Sequence, residues 1–257
     1  MRPALKGSRM LFENKVALVT AAGAGIGRAI AVKLAAEGAR LVVSDVDDAS
    51  GEQTVALIVE AGGTAVYQRT DVADDAQVRE LVQRAVNEYG ALDLAVNNAG
   101  LGAPPKPLQD IADAEWQRTI NITLTGTFQS MRAELAQMTA QGSGAIVNIA
   151  SIAGLQSTSQ LAPYGASKHG VVSLTMSAAA ENAASGIRIN AVAPGPIETA
   201  ALASLPEESK RRYAEEVPMK RLGRSEDIAE ATAFLLSDAA GFITGVTLPV
   251  DGGSLVR

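Results

Sequence analysis

The sequence lacks cysteine entirely and has a single histidine, His169, among its 257 residues. Without cysteine there is no disulfide, no thiolate nucleophile and no cysteine-ligated zinc site. One histidine cannot form a histidine cluster for a metal, and it disfavours a Ser-His-Asp triad. A proton-transferring side chain is therefore expected to be Tyr, Lys, Asp or Glu, and no metal is expected.

The chain also lacks an excess of positive charge and a long apolar run. It has 22 Lys and Arg against 28 Asp and Glu, a net charge of -6, which disfavours nucleic-acid binding. No apolar run reaches the roughly 18 residues of a membrane span. The first ten residues carry basic side chains without a following apolar stretch, so they do not resemble a secretory signal. We therefore expect a cytoplasmic protein without membrane or nucleic-acid partners.

Short apolar runs and helical patterns alternate along most of the sequence. Continuous Val/Ile/Leu strands are typical of a parallel sheet covered on both faces, and repeated β-α units give a doubly wound sheet. We predict one α/β domain over 12–257, a Rossmann-like parallel sheet with helices on both faces, after an N-terminal extension over 1–11. The predicted strands are 16–20, 41–44, 64–69, 92–96, 144–149, 187–192 and 246–250. The predicted helices are 26–37, 49–61, 74–88, 113–140, 162–183 and 225–236.

One stretch, 194–222, interrupts this alternation. It contains four prolines and several charged residues between a predicted strand and a predicted helix. A long insertion at the carboxyl end of a strand in an α/β protein is usually a lid or a binding loop. We therefore expect a substrate loop over about 196–222.

A glycine-rich turn, Thr20–Gly27, follows the first predicted strand. Glycines here let a pyrophosphate approach the helix N-terminus, whose free N–H groups favour anions. Arg28 replaces the last glycine of the usual dinucleotide spacing, so a purely structural turn is also possible. Asp45 lies twenty residues after Gly25, where a carboxylate accepts hydrogen bonds from the adenosine ribose. A carboxylate there repels a 2′-phosphate and favours NAD over NADP, although Asp45 also fits a helix N-cap.

Tyr164 and Lys168 are four residues apart on the predicted helix 162–183, so they share a face. A neighbouring ammonium lowers the pKa of tyrosine from its usual value of about 10. The pair is a candidate acid/base for an alcohol proton. Ser151 comes just after the strand 144–149, where ligands bind in open α/β sheets. Taken separately, the Tyr-Lys spacing also fits a surface pair, and Ser151 also fits a turn or an N-cap.

From about residue 12 to the end, the sequence is similar to the short-chain dehydrogenase/reductase family. The resemblance depends on the order of several motifs, each weak alone and specific together. Ser151 also precedes Tyr164 by thirteen residues, as that family's spacing requires. The matching segments are Thr20–Gly27, Asp45, Asp71–Val72, Asn97–Gly100, Ser151, Tyr164–Lys168, Asn190, Pro194–Thr199 and Asp251–Gly253.

The resemblance implies a role for each matching residue. Tyr164 is the expected general acid/base, and Ser151 is expected to orient the substrate carbonyl. Lys168 is expected to hold the nicotinamide ribose and to lower the Tyr164 pKa, so both side chains also belong to the expected cofactor site. Ile197 and Thr199 are expected to meet the nicotinamide carboxamide. The remaining expected cofactor residues are Gly23, Gly25, Ile26, Gly27, Asp45, Asp71, Val72, Asn98, Ala99, Gly100, Pro194 and Gly195, with Asp71 and Val72 beside the adenine.

Two positions depart from the family pattern. Ala21 replaces a glycine of the turn, and we expect this to be tolerated if the position has an ordinary φ. Thr123 stands where the family usually has a fourth catalytic residue, an asparagine. Asn121 is two residues earlier, about 200° around a helix, so it is not expected to replace the missing amide. The Thr123 hydroxyl is expected to hold the water of the family's proton relay.

These residues predict an NAD(H)-dependent enzyme that interconverts a secondary alcohol and a ketone. Alternatives are an NADPH-dependent 3-oxoacyl-carrier reductase, which Asp45 disfavours, and a catalytically silent nucleotide-sensing protein, which need not keep the Ser-Tyr-Lys set. The resemblance also implies a homotetramer. We expect a small, uncharged, largely apolar substrate. The candidate pocket residues are Ile152, Leu155, Gln156, Leu161 and Leu202.

Overall fold

The fold is built on seven parallel strands. The computed structural model of the protein describes residues 10–102, 104–199, 202 and 206–256. Most strands are short apolar runs that are buried over most of their length, as expected for a sheet with both faces covered. The strands are β1 (Val16–Val19), β2 (Arg40–Asp45), β3 (Thr64–Arg69), β4 (Leu94–Asn97), β5 (Gly144–Ile149), β6 (Ile187–Pro194) and β7 (Thr247–Val250).

The strand order in the sheet is β3-β2-β1-β4-β5-β6-β7, and every neighbouring pair is parallel. The order reverses between β1 and β4, and ligands of doubly wound folds bind at the carboxyl ends of the strands beside such a reversal. The predicted fold class is confirmed.

Eight α-helices of eight or more residues connect or flank these strands in the described ranges. Asp47 and Asp74 accept hydrogen bonds from backbone N–H groups at the starts of α2 and α3, and Gly90 and Gly142 end α3 and α5 in the left-handed region. The helices are α1 (Gly25–Ala36), α2 (Asp48–Glu60), α3 (Asp75–Tyr89), α4 (Asp113–Ile120), α5 (Gly126–Gln141), α6 (Ala162–Asn182), α7 (Glu207–Glu216) and α8 (Ser225–Leu236).

The helices cover both faces of the sheet and bury a core on each. On one face, α1, α2 and α8 pack on the strands through Ile30, Leu34, Ile58 and Ile228. On the other face, α3, α5 and α6 pack through Leu81, Met131, Met138 and Ala178. No helix in the described part of the chain is long and apolar enough to cross a membrane.

Two predicted segments differ from the structure. The predicted helix 113–140 is divided into α4 and α5 by a π-helical turn, Asn121–Thr125. The predicted loop 196–222 contains α7, whose sequence is strongly polar and buries no residue, so apolar periodicity gave no signal for it. Of this loop, residues 200, 201 and 203–205 lie outside the described residues, as do residues 1–9 of the predicted N-terminal extension. Phe12, where the predicted domain begins, is buried in the core.

Candidate active site

The glycine turn lies between the carboxyl end of β1 and the start of α1. A side chain on Gly27 would collide with the carbonyl oxygen of Ala21 and with the amide of Asn98. The close approach of these two groups to the start of α1 therefore requires glycine at position 27. Gly25 has a φ of 53°, in the left-handed region. The half-buried Ile26 follows it in the first turn of α1. The N–H groups at the start of α1 are thus available to an anion such as a pyrophosphate.

Ala21 adopts a φ of 48°, within the left-handed region. The ordinary φ under which we expected alanine to be tolerated is therefore not present. The left-handed region costs an alanine about 1–2 kcal/mol, because its Cβ crowds the backbone. The turn keeps the glycine conformation without the glycine, and the rest of the fold compensates for the strain.

The end of β4 holds this turn in place. The side-chain amide of Asn98 donates to the carbonyl oxygens of Thr20 and Ala21, at 3.1 and 3.0 Å. In return, the Thr20 hydroxyl accepts the backbone N–H groups of Asn98 and Ala99, at 3.0 and 3.1 Å. The predicted β4 residues thus contact the glycine turn directly. Gly100 follows, and a Cβ there would lie 3.3 Å from the ammonium nitrogen of Lys168.

Asp45 ends β2 beside the glycine turn. One carboxylate oxygen accepts the backbone N–H of Gly23 at 2.8 Å, and the other accepts that of Asp47 at 3.1 Å. A side chain on Gly23 would collide with Asp45 and with Ser50. The carboxylate is therefore fixed next to the turn, and each oxygen retains a lone pair for a ribose hydroxyl.

Asp71 and Val72 follow β3. The Asp71 carboxylate accepts the backbone N–H of Ala73 at 2.9 Å and closes a local turn. Val72 is buried and packs against Gly126, where a Cβ would lie 2.7 Å from a Val72 methyl group. The turn therefore brings Val72 against the start of α5.

Ser151 and Tyr164 meet between β5 and α6. Ser151 follows β5, its hydroxyl accepts the backbone N–H of Ala153 at 3.1 Å, and it lies near enough to the Tyr164 phenol to influence the pKa of that group. Pro163 lies in the first turn of α6, where proline is tolerated and the following Tyr164 is held at the helix start. The two predicted catalytic hydroxyls are therefore brought together.

Lys168 lies one helical turn after Tyr164 and is almost fully buried. Its ammonium donates to the carbonyl oxygen of Ile149 at 2.6 Å and lies 5.8 Å from the centre of the Tyr164 ring. Burial lowers the pKa of Lys168 to about 8. The pKa of Tyr164 is raised by burial, and the hydrogen bond to Ser151 opposes that rise.

Thr123 lies in the π-helical turn and is fully buried. Its hydroxyl accepts the backbone N–H of Leu101 at 2.9 Å, and a Cβ on Gly100 would lie 3.7 Å from it. Asn121 pairs with Gln117 at 2.6 Å, so its side chain does not occupy the Thr123 position. Where the family usually has an asparagine, this chain therefore has a hydroxyl that is bonded to the loop after β4. This hydroxyl and the Lys168 ammonium both lie next to Gly100.

The loop after β6 faces the glycine turn from the opposite side. Pro194 ends β6, and a Cβ on Gly195 would lie 2.7 Å from the Cα of Asp251, so these backbones pack closely. Ile197 is buried and bridges to Gly223. A Cβ on Gly25 would lie 3.9 Å from a Thr199 methyl group. The loop therefore approaches the start of α1 through Thr199.

A buried polar network beneath the site was not predicted. The Asn97 amide donates to the Glu134 carboxyl and to the Asn148 side chain, each at 3.0 Å, and Asn148 donates to the Thr175 hydroxyl at 2.8 Å. Burial raises the pKa of Glu134 to about 7, and the Asn97 hydrogen bond opposes this. Glu134 has no recognisable motif, so only its position on the buried face of α5 could have suggested it.

His169 is exposed, and its ring bonds to the Gly165 carbonyl, as expected for a structural histidine.

The family model described as enoyl-(acyl carrier protein) reductase matches residues 20–254. The chain is 47% identical to a cis-4-hydroxycyclohexanecarboxylate dehydrogenase from Sinomonas cyclohexanicum, over 94% of this chain and 97% of that protein. It is 43% identical to a cyclohexanol dehydrogenase from Acinetobacter sp. (strain SE19), over 94% and 95%. The crystal structure of a levodione reductase superposes with a TM-score of 0.93 and 37% identity, over 96% of this chain and 99% of that one.

Fold, site and comparisons together define an oxidoreductase of the type that uses a nicotinamide cofactor, NAD(H) or NADP(H). The chain belongs to the short-chain dehydrogenase/reductase family. The resemblance predicted from the motifs is confirmed.

Proposed function

We propose that the protein is an NAD(H)-dependent oxidoreductase that interconverts a secondary alcohol and a ketone. The observation that carries this proposal is that Ser151 and Tyr164 lie side by side, with the buried Lys168 ammonium 5.8 Å from the centre of the Tyr164 ring. A catalytically silent nucleotide sensor has no need to bring these three side chains together.

The residues around the glycine turn fit a dinucleotide. The N-terminus of α1 suits the pyrophosphate, and the fixed Asp45 carboxylate suits the adenosine ribose and repels a 2′-phosphate. When bound, the nicotinamide supplies or accepts the hydride at the carbonyl carbon. The residues proposed to hold the cofactor are Gly23, Gly25, Ile26, Gly27, Asp45, Asp71, Val72, Asn98, Ala99, Gly100, Tyr164, Lys168, Pro194, Gly195, Ile197 and Thr199.

The chain's own chemistry is proton transfer and orientation. In ketone reduction, the Tyr164 phenol donates its proton to the carbonyl oxygen as the C–H bond forms, and in alcohol oxidation the phenolate takes that proton back. The Ser151 hydroxyl donates to the same oxygen and orients it. The Lys168 ammonium stabilises the phenolate that Tyr164 leaves behind. General acid catalysis of this kind contributes on the order of 10²–10⁴-fold.

We propose a cyclohexanol-type ring as the substrate. Two relatives are named for cyclohexane alcohols. The helical turn after Ser151 begins with the half-buried Ile152, and α6 is preceded by the half-buried Leu161, which are apolar neighbours suited to a ring. NADH oxidation with cyclohexanone, an acyclic ketone of similar size and 4-oxocyclohexanecarboxylate would test this. We expect cyclohexanone to give the highest kcat/KM, and a preference for the acyclic ketone would refute the ring.

A second candidate is an NADPH-dependent reductase of 3-oxoacyl groups on a carrier protein. The description of the matching family model supports it, because that description names an acyl carrier protein. Asp45 argues against it, since the carboxylate disfavours a 2′-phosphate. Efficient NADPH oxidation with a 3-oxoacyl thioester, and none with cyclohexanone, would favour this second candidate.

Two further parts of the proposal concern assembly and the substrate loop. The exposed apolar residues Phe128 and Met176 on α5 and α6, and the fully exposed Phe242, are suited to contacts in a homotetramer. Light scattering coupled to gel filtration measures the assembly.

Residues 196–222 are proposed to form the substrate loop, and amide exchange there should slow when NADH is added.

A further inference from the structure

The backbone that carries Asp45 is held from the neighbouring strand. In the parallel register of β2 and β3, Asp45 pairs with Arg69, and Tyr67 lies two residues before it on β3. The Tyr67 hydroxyl lies 2.9 Å from the Asp45 carbonyl oxygen and 2.9 Å from a carboxylate oxygen of Asp48, and it donates to these acceptors. One phenol therefore ties the last residue of β2 to the first residue of α2.

The packing around Tyr67 fits this role. Gly51, on the first turn of α2, faces the ring, and a Cβ there would lie 2.6 Å from the ring carbon Cδ2. A side chain at position 51 would thus displace the ring and its hydroxyl. Burial first, and then the Asp48 carboxylate, raise the pKa of Tyr67, which keeps its hydroxyl a donor at neutral pH.

Arg69 binds the same short segment. Its guanidinium donates to the carbonyl oxygen of Val46 and pairs with the other carboxylate oxygen of Asp48 at 3.3 Å. Both partners of this ion pair are more than half exposed, so the pair is open to solvent and to a competing anion. Arg69, which lies opposite Asp45 on the neighbouring strand, is therefore paired with the Asp48 carboxylate.

We propose that Tyr67, Arg69 and Asp48, here called the Asp48 cluster, position Asp45 for the adenosine ribose and strengthen the preference for NAD(H) over NADP(H). This inference rests on the proposed function, in which Asp45 binds that ribose. The Tyr67 bond fixes the backbone from which the carboxylate projects. Asp48 keeps the Arg69 charge away from the position that a 2′-phosphate would occupy. Tyr67 and Asp48 are positioning residues, because they act through Asp45 and Arg69.

Tyr67→Phe tests the first half of the proposal, since it keeps the ring against Gly51 and removes the hydroxyl. Loss of the hydroxyl that bonds to Asp45 and Asp48 should raise the dissociation constant of NADH, measured by fluorescence titration, and with it KM for NADH, about three- to ten-fold with kcat unchanged. KM for NADPH should change less, so the preference narrows. Tyr89→Phe is the matched control, because the Tyr89 hydroxyl bonds to Leu41 at the other end of β2, at 3.4 Å. An unchanged KM for NADH in a stably folded Tyr67→Phe protein would overturn the proposal.

Asp48→Asn tests the second half at an exposed position, where folding is not at risk. The amide oxygen still accepts the Tyr67 hydroxyl, whereas the ion pair with Arg69 is lost. We expect kcat/KM with NADPH to rise about three- to ten-fold with little change for NADH, and no rise when Arg69→Met is added. An NADPH efficiency that stays at the wild-type value would overturn this half.

The wild type separates failure of the cluster from failure of the proposed function. If the wild type uses NADPH better than NADH, the proposed cofactor is wrong. If the wild type prefers NADH and Asp45→Ala narrows that preference, but Tyr67→Phe and Asp48→Asn do not, only the cluster is wrong.

Discussion

The Lys168 ammonium donates a hydrogen bond of 2.6 Å to the carbonyl oxygen of Ile149. This bond joins α6, which carries Tyr164, to the last residue of β5, two residues before Ser151. The buried Lys168 ammonium thus fixes the positions of Tyr164 and Ser151 relative to each other. Because desolvation lowers the Lys168 pKa to about 8, the charge is retained at neutral pH but not far above it.

The first prediction concerns pH. We expect kcat/KM for ketone reduction with NADH to fall as the pH rises through about 8, because deprotonated Lys168 no longer stabilises the phenolate that forms as Tyr164 gives up its proton. Lys168→Arg keeps a charge at all these pH values and should remove this inflection, if it retains activity. A wild-type rate that is level from pH 7 to pH 10 would contradict the assignment.

The second prediction concerns Tyr164. Tyr164→Phe keeps the ring and removes the proton that is transferred, so kcat should fall by at least about two orders of magnitude. The dissociation constant for NADH, measured by fluorescence, should change little. Tyr89→Phe, which removes a hydroxyl far from Ser151, should keep full activity. Turnover near the wild-type value in Tyr164→Phe would refute the mechanism.

The third prediction concerns the strained alanine. Ala21→Gly removes a left-handed penalty of about 1–2 kcal/mol and adds the greater backbone entropy of glycine, about 0.5–1 kcal/mol, so we expect a net stabilisation of about 0.5–1 kcal/mol. Ala24→Gly is the control, because Ala24 has a φ of -155° and gains no such relief. Urea unfolding measures both variants. If Ala21→Gly destabilises the protein as much as Ala24→Gly does, the strain is not real.

The fourth prediction concerns the buried carboxyl of Glu134. Its pKa in the folded state, about 7, lies above the ordinary 4.5, so the folded protein binds this proton more tightly than the unfolded chain does. The resulting stability is fully present below pH 4.5 and is lost as the pH rises to about 7. Glu134→Gln does not lose this stability. Its unfolding free energy minus that of the wild type should therefore increase between pH 4.5 and about pH 7, by on the order of 3 kcal/mol. The exposed Glu181→Gln should show no such growth, and a constant difference for Glu134→Gln would contradict a neutral Glu134.

The strands and most helices were predictable because each is a short apolar run or an amphipathic repeat bounded by glycine or an N-cap. The site residues were predictable in position, because parallel strands bring their carboxyl ends to one edge. The φ of Ala21 could not be predicted, since it depends on the close approach of Gly27 and Asn98. The Tyr164 pKa depends on burial, which spacing along a helix does not give. The π-helical turn at Thr123 has no local signal, and it packs against α6, where a Cβ on Gly170 would lie 2.7 Å from a Leu124 methyl group.

The last prediction concerns Thr123, whose hydroxyl accepts the backbone N–H of Leu101. A helical threonine can turn its hydroxyl to the carbonyl oxygen one turn back, but the Thr123 hydroxyl bonds across to the loop after β4 instead. This use of the hydroxyl points to a role in holding Leu101 and Gly100 near Lys168, rather than in transferring a proton. Thr123→Ala removes the acceptor of the partly buried Leu101 N–H and should cost about 1 kcal/mol of stability.

The effect of Thr123→Ala on kcat should be small compared with that of Tyr164→Phe. We expect kcat of Thr123→Ala to fall by less than about ten-fold, against at least about a hundred-fold for Tyr164→Phe. Thr123→Ser keeps the hydroxyl and should restore both stability and rate, and Thr123→Asn should remain active because its amide can also accept from Leu101. Steady-state kinetics and circular dichroism separate the two effects. A loss in Thr123→Ala as large as that in Tyr164→Phe, with the fold intact, would make the hydroxyl part of the proton transfer itself.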